Sequence, residues 1–184
     1  RNYQSSRAVP VSKMLEQVIN DPAIPVHFGK NQSGMVAEEE NESLVELEGV
    51  TVTSEEAWRV AALSAAKYAK ALHDAGYHKQ IVNRIIEPYV WTKGVITATI
   101  EGWESVFNLR CHKDAQPEFK ELAEAIREEI SYSIPTILTP DSWHLPYYGD
   151  GYWIKGDKTP LEDAIKISTS CCAQVSYRVL DDSL

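Results

Sequence analysis

The stretch "TSEEAWRVAALSAAKYAKALHDAG", Thr53 to Gly76, decides the fold class. Thr53-x-x-Glu56 reads as a capping box. The Thr hydroxyl and the Glu carboxylate each satisfy a backbone N–H that the first helical turn leaves open. Trp58, Ala61, Ala62, Ala65, Tyr68, Ala69 and Leu72 continue along one face at helical spacing. Gly76 stops the run, since glycine takes a positive φ at little cost. A long helix with both ends marked predicts a chain built around helices.

Reading outward gives more of the same. Towards the N-terminus, Val11, Met14, Leu15, Val18 and Ile19 follow Pro10 at helical spacing. "DPAIPVHFGKNQSGM", from Asp21, carries two prolines and two glycines and reads as a long irregular loop. Residues 38–52 are acidic and weakly periodic, and read as a solvated excursion. Towards the C-terminus, "HKQIVNRIIEP" reads as a shorter helix ending near Pro88. "YVWTKGVITATI", Tyr89 to Ile100, is rich in β-branched and aromatic residues and is the best strand candidate. "GWESVFNLRCH" reads as helix, and "QPEFKELAEAIREEI" as another, with Pro117 early and apolar residues at Phe119, Leu122, Ala123, Ala125 and Ile126. "TILTPDSWHLPYYGDGYWIKGD" reads as loop with short strand. The following helix is expected to be capped by Thr159, with Pro160 at its first position and Glu162 closing the box. The expectation is one helix-rich α+β domain over residues 1–184 with few strands.

Bulk numbers narrow the function. The 184 residues are 43% hydrophobic, with five Trp and nine Tyr, enough apolar mass for a packed core. The formal charge is -9, against any broad grip on duplex nucleic acid, which needs a basic stripe. A local cluster of arginines could still hold a small anion. No apolar run reaches the roughly 18 residues of a membrane span, and no secretory leader is expected. Cys111, Cys171 and Cys172 form neither a disulfide framework nor a CxxC zinc pattern, and the expected setting is reducing and cytoplasmic.

His27, His73, His78, His112 and His144 show no metal-ligand spacing, so no metal is expected. Dinucleotide and nucleoside-triphosphate glycine loops are absent, as is a nucleophile elbow. The arginines carry more information. Arg84 and Arg110 stand beside apolar helical positions, and Ser5, Ser6 and Arg7 precede the first helix. An arginine in such a place is paired with a carboxylate, snorkels its stem over apolar surface, or acts as a planar fork for phosphate or carboxylate. Three guanidiniums and two hydroxyls could serve one phosphate.

Four segments resemble the flavin-dependent thymidylate synthase family, ThyX. "SSRA", Ser5 to Ala8, resembles the back half of that family's signature, an Arg-His-Arg and a serine-rich tract ending in S-x-R. "NRIIEPYVWT" is similar to the family's R-x-x-x-P helix end and following strand. "NLRCHKDAQPEFKELA" is similar to its LR…AQ-x-E segment, and "CAQVSY", Cys172 to Tyr177, to its ARVSY element. ARVSY precedes the signature in typical members. Its place here at the C-terminal end resembles a circularly permuted, phage-type arrangement, with the Arg-His-Arg half expected before Arg1 and a further segment after Leu184.

The resemblance implies a curved, mostly antiparallel sheet flanked by helices and a homotetramer with sites at subunit interfaces. It implies methylation of dUMP to dTMP, with methylenetetrahydrofolate as carbon donor and NADPH as reductant through FAD, in the cytoplasm (the host's, for a phage-encoded protein). It places dUMP on Ser5, Ser6, Arg7, Arg84 and Arg110, with Arg110 orienting the substrate and stabilising charge without a covalent nucleophile. On the flavin side it places Ser105, Asn108, His112 and Asp114. Tyr3, Ser105, Asp114 and Gln174 depart from the family pattern, so two alternatives stay open: a related flavoenzyme acting on another deoxypyrimidine, and a non-catalytic nucleotide-binding relative.

Overall fold

A computed structural model describes residues 2–34 and 36–174. The described chain falls into two compact units, one of residues 2–9, 92–97 and 134–174 and one of residues 10–34, 36–91 and 98–133.

The second unit is helical. Helix α1 (Val11–Asn20) buries Val11, Met14, Leu15 and Val18 of the stripe that its spacing predicts, while Ile19, expected with them, is 53% exposed. Helix α2 (Ser54–Asp74) buries Ala62, Ala66 and Ala69, and helix α3 (Lys79–Ile86) buries Val82, Asn83 and Ile86. These three helices pack on one another. The buried face of α2 is all alanine, which lets its neighbours approach closely. Tyr68, expected on that face, is 67% exposed, because the core stripe follows Ala62, Ala66 and Ala69 one turn at a time.

Both ends of α2 are as predicted. The Thr53 hydroxyl accepts from the Glu56 N–H at 3.2 Å, and the Glu56 carboxylate accepts from the Thr53 N–H at 2.8 Å. Gly76 follows the helix with a φ of 84°. The long loop before α2 is tied down by aromatic residues. Trp58 donates its indole N–H to the Ala23 carbonyl at 2.9 Å and meets Phe28 and Tyr89 edge-on. Helices α4 (Ile100–Arg110) and α5 (Pro117–Tyr132) pack together and complete the unit.

Strands are few and antiparallel, as expected for this class. They form three separate two-stranded ladders among the described residues rather than one curved sheet. β1 (Asn2–Tyr3) pairs with β4 (Gly94–Val95) in the first unit. β2 (Val45–Leu47) and β3 (Val50–Val52) form a hairpin inside the segment expected to be an acidic excursion. Its turn is Glu48-Gly49, with φ of 50° and 84°, the backbone a two-residue hairpin turn requires. Val45 and Leu47 alternate with exposed Glu46, a period of two that the surrounding acidity hides.

The strand expected over Tyr89–Ile100 reduces to Gly94–Val95. Its other residues are drawn elsewhere. Tyr89 ends a 3₁₀ turn (Glu87–Tyr89), the Trp91 indole donates to Asp21 at 3.0 Å, and Thr99 caps α4. A β-rich composition makes a strand only where a partner edge exists.

The rest of the first unit holds a second hairpin, β5 (Ser142–His144) with β6 (Tyr152–Ile154), and helix α6 (Leu161–Ala173). The cap of α6 falls on Pro160, one residue beyond the expected Thr159, and no side chain caps it. The Thr159 carbonyl accepts from the Trp153 indole at 2.8 Å, and the Thr159 N–H donates to Asp157 at 3.0 Å. Those bonds hold Thr159 in the preceding turn.

Candidate functional site

Ser5, Ser6 and Arg7 lie in the first unit, in a tight turn closed by bonds from the Ala8 and Val9 N–H groups to the Ser5 carbonyl at 2.9 and 3.3 Å. Arg7 is exposed and forms no ion pair among the described residues. The turn follows directly on β1, whose Tyr3 sits opposite Gly94. A Cβ on Gly94 would lie 2.3 Å from the Tyr3 ring, so only glycine lets that ring rest on the β4 backbone. Tyr3 thus has a packing role.

Arg84, Arg110 and the flavin-side residues lie in the second unit. On α3, Val82, Asn83 and Ile86 face the core while Arg84 faces solvent. It forms no carboxylate pair among the described residues. Arg59, by contrast, is tied to Glu55 at 2.9 Å on the same helix face.

Arg110 closes α4, whose N-terminus is fixed by the Thr99 hydroxyl accepting from Gly102 N–H at 3.2 Å. Its guanidinium lies 5.4 Å over the Phe119 ring of α5. That cation–π contact contributes about 0.5–1 kcal/mol at an exposed site. A guanidinium carries an N–H fork that meets phosphate or carboxylate bidentately.

Ser105, Asn108 and His112 follow one another at near-helical spacing along and just past α4, all exposed. The Asp114 N–H donates to His112 Nδ1 at 3.3 Å. An amide N–H can only donate, so Nδ1 accepts in this bond. The 3.5 Å approach of Asp114 Oδ2 to the same Nδ1 is therefore secondary. The structure thus brings Ser105, Asn108, Arg110, His112 and Asp114 to one helix end. Arg84 stands on a different helix, packed on α1 and α2.

One feature escapes a reading by motif. A cavity of about 490 Å³ in the second unit is walled by the loop through His27, Ala37 and Glu38 and by the turn from Lys113 into α5. Its walls come from segments about eighty residues apart, which no local spacing can connect. Among the described residues no three His, Cys, Asp or Glu side chains cluster as metal ligands, and no helix is long and apolar enough to cross a membrane. Cys111, Cys171 and Cys172 are half-buried and not in disulfides.

The family model described as thymidylate synthase complementing protein, Thy1, matches residues 4–136. The chain belongs to this family. The match includes every candidate dUMP and flavin residue, from Ser5 to Asp114. It ends before the second hairpin and α6. "CAQVSY" lies beyond it, and from Val175 onward lies outside the described residues. No curated protein and no solved structure matches the chain. Membership of Thy1 puts the chain with proteins that supply thymidylate synthase function, an enzymatic role.

Proposed function

We propose that the protein is an FAD-dependent thymidylate synthase that methylates dUMP to dTMP, with methylenetetrahydrofolate as carbon donor and NADPH as reductant. The observation that carries this reading is the Thy1 match over the segments that bear Arg84 and Arg110, both exposed and outside any carboxylate pair among the described residues. An arginine already bound to a carboxylate would have to be released before it could hold a nucleotide phosphate. These two are not so bound.

Arg84, Arg110 and Arg7, with the Ser5 and Ser6 hydroxyls, bind dUMP in this reading. Bidentate forks fix a phosphate in orientation as well as position. A fixed nucleotide beside its reaction partner removes much of the entropic barrier. Arg110, in contact with the Phe119 ring, orients the substrate and stabilises negative charge on it in this reading.

FAD, when bound, supplies the reducing equivalents. The α4 end suits its ring edge. Ser105 and Asn108 leave a hydroxyl and an amide exposed one turn apart, and His112 adds an exposed imidazole. Ser105, Asn108, His112 and Asp114 are the residues that would hold it. The same helices support the homotetramer. Among the described residues of α4 and α5 only Ala123 is buried, while Leu109, Phe119 and Leu122 are 66%, 51% and 54% exposed.

Purified protein should carry a flavin spectrum, and dUMP should accelerate its NADPH-dependent bleaching. dTMP should form only with methylenetetrahydrofolate present. Protein that stays colourless after incubation with FAD would overturn the reading. Flavin binding with no dTMP would redirect it to another deoxypyrimidine.

A further inference from the structure

Residues 131–140, "SYSIPTILTP", carry no charged side chain in a chain whose net charge is -9, and each of them is exposed. Ile134 and Ile137 are 91% and 92% exposed, more than any other large apolar residue among those described. Within the first unit, residues 134–138 form no helix, strand or turn, and their N–H and C=O groups make no hydrogen bond to the described residues. Apolar side chains this open to water gain by being covered. An uncovered run of backbone donors and acceptors is a template on which another strand pairs.

The segment is nevertheless held in place. The Tyr152 hydroxyl donates to Thr136 Oγ1 at 3.1 Å. The Thr139 N–H donates to Ser142 Oγ at 2.7 Å, and the Ser142 N–H donates back to the Thr139 carbonyl at 3.0 Å. Pro135 fixes its own φ and biases Ile134 towards an extended backbone. A segment already ordered loses less freedom on pairing than a loose one.

Its sequence is also complementary to itself. Set antiparallel to a second copy about a twofold axis through Thr136, Ile134 stands opposite Leu138, Pro135 opposite Ile137 and Thr136 opposite Thr136. With 134, 136 and 138 as the hydrogen-bonded positions, every donor the ladder needs is present. The N–H that Pro135 lacks then falls on the side facing away. The alternative set of bonds would put Pro135 where a donor is required. The cross-strand pairs are all apolar or threonine on threonine, which stabilises antiparallel strands. No charge meets a like charge there, although two copies of so acidic a chain repel each other elsewhere.

We propose that residues 134–138 pair with the same segment of a second copy of this chain, as an antiparallel ribbon with Thr136 on the twofold axis. A self-complementary patch is what a twofold contact requires. One such contact closes at a dimer, so the homotetramer built on the exposed face of α4 and α5 needs a second of its kind. The pairing involves neither flavin nor dUMP, and it stands or falls apart from the thymidylate synthase reading.

Charge placed on the axis tests it. Thr136→Asp and Thr136→Lys each set two like charges opposite one another, and each should weaken association of the full chain about tenfold or more at low salt. Sedimentation should then show half the wild-type mass. An equimolar mixture of the two variants should recover the wild-type mass, because aspartate then faces lysine. Thr136 is exposed, and both variants lose its bond to Tyr152, so loss of that bond cannot imitate the rescue. Hydrogen exchange read at single residues gives a second measure. In assembled wild type the amides of Ile134, Thr136 and Leu138 should exchange at least about tenfold more slowly than that of Ile137. Wild-type protein that is a monomer, variants that keep the wild-type mass, or a mixture that stays dissociated would each overturn the pairing. So would amides protected equally in wild type and in dissociated Thr136→Asp, which would make the partner the chain's own segment beyond Gln174.

Discussion

At the scale of single residues, the test of the nucleotide site is Arg84 and Arg110. Both side chains are exposed, so their removal leaves no buried group unpaired: Arg84→Ala should leave the melting temperature almost unchanged, and Arg110→Ala should lower it only by the small loss of its Phe119 contact. Arg84→Ala and Arg110→Ala should each weaken dUMP at least about tenfold by titration, the effect of one lost charge-assisted pair. Arg110→Lys should recover little, because an ammonium keeps the charge and loses the fork. Variants that bind dUMP as tightly as wild type would remove both arginines from the site. The sequence makes these residues visible because arginine beside apolar positions has only three outcomes, pairing, snorkelling or availability. It does not tell which applies. Arg59 has Glu55 four residues before it on the same helix and pairs with it, while the packing shows no carboxylate pair for Arg84 among the described residues. The cavity lined by Glu38 and Lys120 is invisible for a different reason, since it depends on how a loop folds against a distant helix.

At the scale of elements, the predicted helices stand where caps and core stripes agree. Thr53 and Glu56 fix the start of α2 through mutual bonds, and Thr53→Ala should cost about 1 kcal/mol in denaturant unfolding. The same box gives stability a pH dependence. The backbone hydrogen bond from Thr53, then that from its side chain, holds the Glu56 carboxyl below its ordinary value of 4.5. A carboxyl depressed on folding contributes stability that is complete above its unfolded value and is lost as pH falls through the lower folded value. Glu56→Gln should therefore flatten the fall in stability below about pH 4.5, with little effect on its slope near neutrality, as read by melting curves across pH. An unchanged acid limb would show that the box does not form in solution. The elements that sequence misplaced each have their own cause. Tyr89–Ile100 has strand chemistry but only the short edge of β1 to pair with. Val45–Val52 has the alternation and the Glu48-Gly49 turn of a hairpin, submerged in acidic residues. The first helical residue of α6 moved by one because Thr159 is used by Trp153 and Asp157.

At the scale of the whole molecule, the helix class was legible because periodicity is local, whereas the grouping of segments into two units was not. Residues 92–97 leave one unit for the other and return, and no local pattern marks such a crossing. The exposed face of α4 and α5 belongs to this scale as well. Fully burying a leucine that is exposed in a monomer gains about 1.5–3 kcal/mol, so an assembly that covers Leu109, Phe119 and Leu122 gains several such increments per copy. A glutamate placed at Leu122 would bring an unpaired charge into that assembly but would sit in water in a single copy. Leu122→Glu should therefore lower the mass by sedimentation or light scattering from that of a homotetramer to a smaller species, with the helical circular dichroism signal retained. Because the proposed sites stand at subunit interfaces, flavin should be lost from the variant in step with the mass. A variant that keeps both the mass and the flavin would place the assembly face elsewhere. One that keeps the flavin as a monomer would show that a single chain suffices to hold it.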